Sequence, residues 1–173
     1  MLATPEGFVF DVKAFRLFTQ HQTPLSALPK GIVEALGNTE KETVYYSDLP
    51  SEAREELWRR FRLSLEPLRK AGKLGVVLFQ FPPWFVYKPS ALQYIAHCAE
   101  MLTGDQLAVE FRHRSWFNEK HADEVLVFDR EHNLAHVVVD EPQGFVSSIP
   151  AVWEVTCQSV AVVRPSMEKP NDK

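Results

Sequence analysis

The chain has 173 residues, 45% of them hydrophobic and 24% charged, with a formal net charge of -4 at neutral pH. That ordinary composition marks a soluble globular chain, long enough for one domain with a core of its own. The acidic balance argues against a dedicated nucleic-acid binder, and no apolar run approaches the roughly 20 residues of a membrane helix. Two cysteines outside any CxxC pair, Cys98 and Cys157, rule out a disulfide scaffold.

In chain order, Phe8 to Lys13 alternates and reads as a strand, followed by weak helical signals between Pro24 and Leu36 and a loop-like stretch from Gly37 to Ser47. Pro50 to Ala71 is the clearest helix. Leu57, Trp58, Phe61, Leu65 and Leu68 form its apolar stripe, Gly72 closes it, and Pro67 predicts a kink or an early end. Leu74 to Phe81 is almost continuously apolar, as in a strand buried on both faces. Helices are predicted at 90–103 and 119–132, the second capped by Asn133, and strands at 107–111, 135–140 and 159–164. Short apolar strands alternating with amphipathic helices predict a parallel α/β architecture over residues 1–164, with a disordered polar tail at 165–173. The N-terminus lacks the basic and apolar regions of a signal peptide, so the expected location is the cytoplasm.

Polar groups recur at the carboxyl ends of the predicted strands: Lys13, Gln80, Glu110 with Arg112, Asp140, and Arg164. Parallel α/β proteins bind and react at those ends. Glu110 and Asp140 come from successive strands, and neighbouring carboxylates divide acid from base roles, as in hydrolysis of a glycosidic or phosphoester bond. Lys13, Arg112 and Arg164 supply charge to hold an anionic small-molecule substrate, with Gln80 beside them and Trp116 to stack on it. The plainer alternative is a structural ion network joining Glu110 to Arg164 or Lys13, with Trp116 and Phe117 serving only as a cover. The six histidines show no HxH or HExxH spacing on a firm helix, and no phosphate-cradling glycine motif or nucleophile elbow occurs. The sequence therefore names no metal and no cofactor.

Five pieces carry a family resemblance: FVFDVKAFRLFTQH (8–21), KLGVVLFQFPPWF (73–85), LAVEFRHRSWF (107–117), VVVDEPQ (137–143) and VAVVR (160–164). In this order they resemble the YecE-like family, domain of unknown function 72. The resemblance implies a TIM-type barrel of unestablished activity, with Lys13, Gln80, Glu110, Arg112, Trp116, Asp140 and Arg164 as this chain's copies of the family's recurrent positions. A member of that kind would carry two further strands before Phe8. It would also run from its penultimate strand's arginine into Leu-His-Gly and a last strand. A closed barrel needs about 250 residues. The expected fold is therefore a partial TIM-type barrel of about five parallel strands with three outer helices.

One back-translation of Pro165 to Glu168, CCC-TCC-ATG-GAA, reads Leu-His-Gly two bases further on, which fits a frameshift after Arg164 and an internal start. A truncated barrel would expose unpaired edges, so marginal stability and self-association are expected. The functional expectation is an uncharacterised barrel protein with a hydrolase-type pocket. The alternatives are a non-catalytic ligand-binding module and a non-functional gene fragment.

Overall fold

The computed structural model describes residues 4–37, 39–142 and 148–165. It divides into two compact units, Met1–Val77 and Leu78–Lys173. The main sheet has five parallel strands: β1 (Phe10–Lys13), β4 (Leu74–Gln80), β5 (Gln106–Glu110), β6 (Ala135–Asp140) and β7 (Val162–Pro165), adjacent in that order. Between them run α2 (Ser51–Lys70), α3 (Pro89–Met101) and α4 (Ala122–Glu131). The fold is α/β, with the repeating strand–helix unit of a TIM-type barrel.

In the first unit, the stretch read as weakly helical and then loop-like holds more order than its sequence signals. A short antiparallel pair, β2 (Thr23–Pro24) with β3 (Thr43–Val44), frames a 3-10 turn at Leu25–Ala27 and the six-residue α1 (Lys30–Ala35). After β1 the chain winds through a hook. His21 N–H donates to the Arg16 carbonyl and Gln20 N–H to that of Leu17, while Gln20 takes a left-handed φ of 60°. This is the pairing of a Schellman turn, with Gln20 where glycine is usual. The core beside it is aromatic. Phe18 stacks on Trp58 with ring centroids 3.6 Å apart, and the indole N–H of Trp58 donates to the Tyr46 hydroxyl at 2.9 Å.

Helix α2 runs through Pro67 to Lys70 and so does not end early. Proline there removes a single intrahelical N–H donor, one turn from the end, and its own carbonyl still accepts from Ala71. The joint between β1 and β4 depends on Gly75. A Cβ there would lie 2.3 Å from Asp11 Oδ1, the atom that accepts the Val76 N–H at 2.9 Å. Glycine alone leaves room for this side-chain substitute for a ladder bond.

The second unit begins in β4 at Leu78. Its core is made by the buried faces of α3 (Ala91, Leu92, Ile95, Cys98) and α4 (Val125, Leu126) with the strands Leu107–Val109 and Ala135–Val139. Helix α4 starts at Ala122 rather than Glu119, because Arg114–Phe117 coils into a 3-10 turn and the Asn118 side chain caps the approach to α4 through the N–H groups of Lys120 and His121. Asn133 takes the left-handed φ of 50° expected of a cap. Strand β6 spans the predicted residues. β7 is shorter, beginning at Val162, and it includes Pro165; the rest of the predicted tail lies outside the described residues.

Because β7 meets β6 only from Val137 onward, the start of β6 needs another partner. Thr156 provides it. Its hydroxyl donates to the Leu134 carbonyl at 2.6 Å and accepts the His136 N–H at 2.8 Å, both buried. Thr156→Val keeps the shape and strands both backbone groups. The expected cost is about 1–3 kcal/mol, read as a lower urea midpoint with unchanged slope. An unchanged midpoint would show that this hydroxyl does not anchor the strand.

Candidate functional site

Among the described residues of the second unit, the carboxyl ends of β5, β6 and β7 gather a compact ion cluster around Glu110. Glu110 is completely buried. Its Oε1 accepts from Arg112 Nε, and its Oε2 accepts from Arg164 Nη1 at 2.8 Å. The two guanidiniums are less enclosed, with the Arg112 side chain 19% exposed and that of Arg164 44%. Buried carboxylate and half-open guanidiniums make a directional arrangement: the acid fixes the arginines, and neither guanidinium makes another hydrogen bond among the described residues. A fourth charge completes the cluster, with Glu141 Oε2 4.0 Å from Arg112 Nη1 and Glu141 Oε1 accepting the Ile149 N–H at 2.7 Å.

Strand register explains which carboxylates meet. In a parallel pair, opposite residues share a face, and faces alternate along each strand. Ala108 lies opposite Ala135, Val137 opposite Val162 and Val139 opposite Arg164. Glu110 therefore shares its face with Val137, Val139 and Arg164, and its ion pair with Arg164 spans β6. Asp140 projects from the other face and is exposed. The expected neighbour pair Glu110 and Asp140 is thus not formed, because Asp140 lies an odd number of residues beyond Val137, which stands opposite Glu110. Glu141, one residue further on, is the second carboxylate of the cluster. The sequence reading missed it by one position in the run VVVDEPQ.

Trp116 is also placed differently from a stacking platform. It is fully buried, its ring centroid lies 4.2 Å from that of Phe111 and 5.5 Å from that of Phe85, and its indole N–H donates to the Phe85 carbonyl at 2.7 Å. Phe85 in turn stacks on Phe81 at 4.2 Å. The aromatic series braces the loops after β4 and β5 and leaves no indole face for a ligand. Gln80 ends β4 immediately before Phe81, whose N–H donates to the Glu110 carbonyl at 2.9 Å. Lys13 ends β1 and belongs to the first unit.

Beside the arginines, the loop after β5 ties itself down with polar contacts that the sequence did not single out. His113 Nδ1 accepts the Ser115 N–H at 3.1 Å and lies 2.8 Å from the Ser115 hydroxyl, which accepts the Tyr87 N–H at 2.9 Å. Tyr87 stacks on His121 and donates its phenol to Glu124 at 2.6 Å, a contact that raises the phenol's proton affinity. Among the described residues no group of three or more His, Cys, Asp or Glu side chains is arranged to hold a metal ion, and no helix is long and apolar enough to cross a membrane.

Comparison with known proteins gives a consistent result. The family model described as "Protein of unknown function DUF72" matches residues 1–172. The chain is 34% identical over 161 residues to the UPF0759 protein YunF of Bacillus subtilis (strain 168), covering 93% of this chain and 49% of that protein. Among solved structures, a DUF72 family protein of Enterococcus faecalis V583 superposes with a TM-score of 0.71 at 25% identity, over 93% of this chain and 50% of the other. A DUF72 family protein of Thermotoga maritima MSB8 matches with a TM-score of 0.56 at 34% identity, over 64% of this chain and 40% of the other. The chain spans about half the length of these relatives.

Proposed function

Because the chain belongs to the DUF72 family of proteins of unknown function, we propose from its own geometry that it contributes the anion-holding wall of a small-molecule site. The observation that carries this is the burial of Glu110 between Arg112 and Arg164. A carboxylate taken fully out of water costs several kcal/mol unless paired. Here that cost is offset by two arginines held in place where parallel strands end, the usual position for binding and reaction. Arg112 and Arg164 hold a phosphate or carboxylate group of the substrate, and Gln80 offers an amide at the end of β4. Both Glu110 oxygens are occupied, so Glu110 is the positioning residue, and Glu141, whose Oε2 lies 4.0 Å from Arg112 Nη1, is the carboxylate assigned to proton transfer. Asp140 keeps a role only toward a ligand on the other face of the sheet. The reaction class to test first is hydrolysis of a phosphoester or glycosidic bond.

The occupation of both Glu110 oxygens favours a second reading, a binding module without turnover. One set of experiments on the full chain separates the two. Inorganic phosphate is titrated by calorimetry, and p-nitrophenyl phosphate and p-nitrophenyl glycosides are offered for turnover. Arg164→Gln is expected to weaken phosphate binding about tenfold, the effect of one charge-assisted contact. Glu141→Gln is expected to abolish turnover while phosphate still binds. Turnover absent from the unsubstituted chain, with phosphate bound, selects the binding module. Phosphate affinity indifferent to both arginines overturns the site.

A further inference from the structure

The first unit contains a hollow that the cluster around Glu110 does not involve. It measures about 330 Å³ and is lined by Lys13, Phe15, Ala27, Pro29, Leu57, Arg60 and Phe61. Its chemistry is of two kinds only. The walls are apolar and aromatic: Leu57 is buried, and Phe15, Pro29 and Phe61 are half-buried. The polar groups at its rim are two cations, and no acidic side chain lines it.

The cations come from separate elements. Lys13 is the exposed last residue of β1. Arg60 lies two turns into α2. Its Nε donates to Glu56 Oε1 at 2.7 Å, and its Nη2 reaches over the start of α1 to 3.6 Å from where a Cβ on Gly31 would stand. Glu56 is shared with Arg59, so one carboxylate serves two guanidiniums. The same field reaches the hook after β1. His21 has its proton affinity lowered by burial and then by the charges of Lys13 and Arg16. The walls have fixed shape. Phe15 and Phe61 both pack edge-on against Phe18, at 5.9 and 5.5 Å, and Phe18 is itself clamped on Trp58.

We propose that this hollow is a binding site for a small amphipathic anion, one ring-sized apolar body carrying a phosphate or carboxylate group. The ring lies between Phe15, Phe61 and Leu57, and the anionic group meets Lys13 and Arg60. Mostly apolar walls with a few convergent charges are the usual make-up of a small-ligand pocket. The volume falls at the lower end of the range for such pockets, which limits the occupant to a single ring with its substituent. Charge complementarity selects an anion. The proposal stands apart from the reading of Arg112 and Arg164, since it uses residues of the first unit alone.

The test is a titration of the full chain with phenyl phosphate, inorganic phosphate and phenol, followed by backbone amide chemical shifts. Phenyl phosphate is expected to move the amides of Phe15, Ala27 and Phe61, and to bind there at least about tenfold more tightly than either fragment, since only it engages both walls and rim. Lys13→Gln and Arg60→Gln, both at exposed positions, are each expected to weaken that binding by about five- to tenfold. Three results overturn the proposal: no shifts at these amides, inorganic phosphate binding as tightly as phenyl phosphate, or affinity unchanged in both variants. Shifts confined to the amides around Arg112 would overturn it while leaving the other site standing, and the converse pattern would do the reverse.

Discussion

Replacing Glu110 with glutamine is expected to destabilise the protein by about 2–4 kcal/mol, a large fraction of what a domain of this size possesses. Hydrogen-bond polarity sets this cost. Each carboxylate oxygen accepts from one guanidinium. Glutamine keeps one acceptor and turns the other oxygen into an NH2 donor that faces an arginine donor. One guanidinium then loses its partner, and two donors oppose each other in a fully buried position. Because Arg112 and Arg164 retain some contact with water, the cost stays below that of stranding a charge in the core. At this chain length the change corresponds to a drop of roughly 5–15 °C in Tm. Arg164→Gln alone should cost less, since its side chain is the more exposed. The double variant should cost less than the sum of the two, because the second substitution removes a group already without its partner. Additive losses would mean that the cluster is not one unit. The same variant also bears on ligand binding: if Glu110 positions the arginines, Glu110→Gln weakens phosphate binding even at temperatures where it remains fully folded.

How far the sequence revealed this arrangement depends on the kind of signal. The parallel α/β frame was legible because apolar runs such as LGVVLFQF and AHVVVD bury both strand faces, and their helices carry regular stripes. Glu110, Arg112 and Arg164 were legible for a related reason: a charge set against such a run has few places to go except the strand's carboxyl end. Asp140 and Glu141 show the limit. In DE, face is decided by register with β5, and register is a relation between distant strands that local pattern does not encode. Trp116 shows another limit. An aromatic next to arginines reads equally as a ligand platform or a brace, and only the Phe85 carbonyl 2.7 Å from its indole decides for the brace. The hollow at Lys13 was illegible because Arg60 sat in what reads as a solvated basic helix face. Asp129 is illegible for the same reason: an acid among charged residues on α4 gives no local sign of being the one turned inward.

Asp129 and His136 together predict an unusual dependence of stability on pH. Both are buried, and neither Asp129 oxygen has a hydrogen-bond partner among the described residues. Burial raises the Asp129 carboxyl well above its ordinary value, against a weaker opposing pull from Arg130. Burial also pushes His136 down to about 4, opposed by the main chain of Val152, in a site where Phe117 packs edge-on to the ring at 5.0 Å. Burial therefore favours the protonated form of Asp129 and the neutral form of His136 in the native state. Between about pH 4 and 6.5 the unfolded chain ionises its aspartate and protonates its histidine. The aspartate makes it lose a proton relative to the native state and the histidine makes it gain one, so the two contributions to the pH slope oppose each other. Each variant uncovers the other group. In Asp129→Asn the histidine acts alone, and its contribution makes stability rise with pH by up to about 1.4 kcal/mol per unit, totalling about 3 kcal/mol by pH 6.5. In His136→Phe the aspartate acts alone, and stability falls with pH at the same rate. Above about pH 6.5 the histidine no longer contributes. Urea midpoints measured from about pH 4.5 to 8 on the three proteins give these slopes by difference, so that the surface carboxylates common to all three drop out. Parallel curves for Asp129→Asn and wild type would show that Asp129 ionises in the native state, and that water or a cation reaches its buried position.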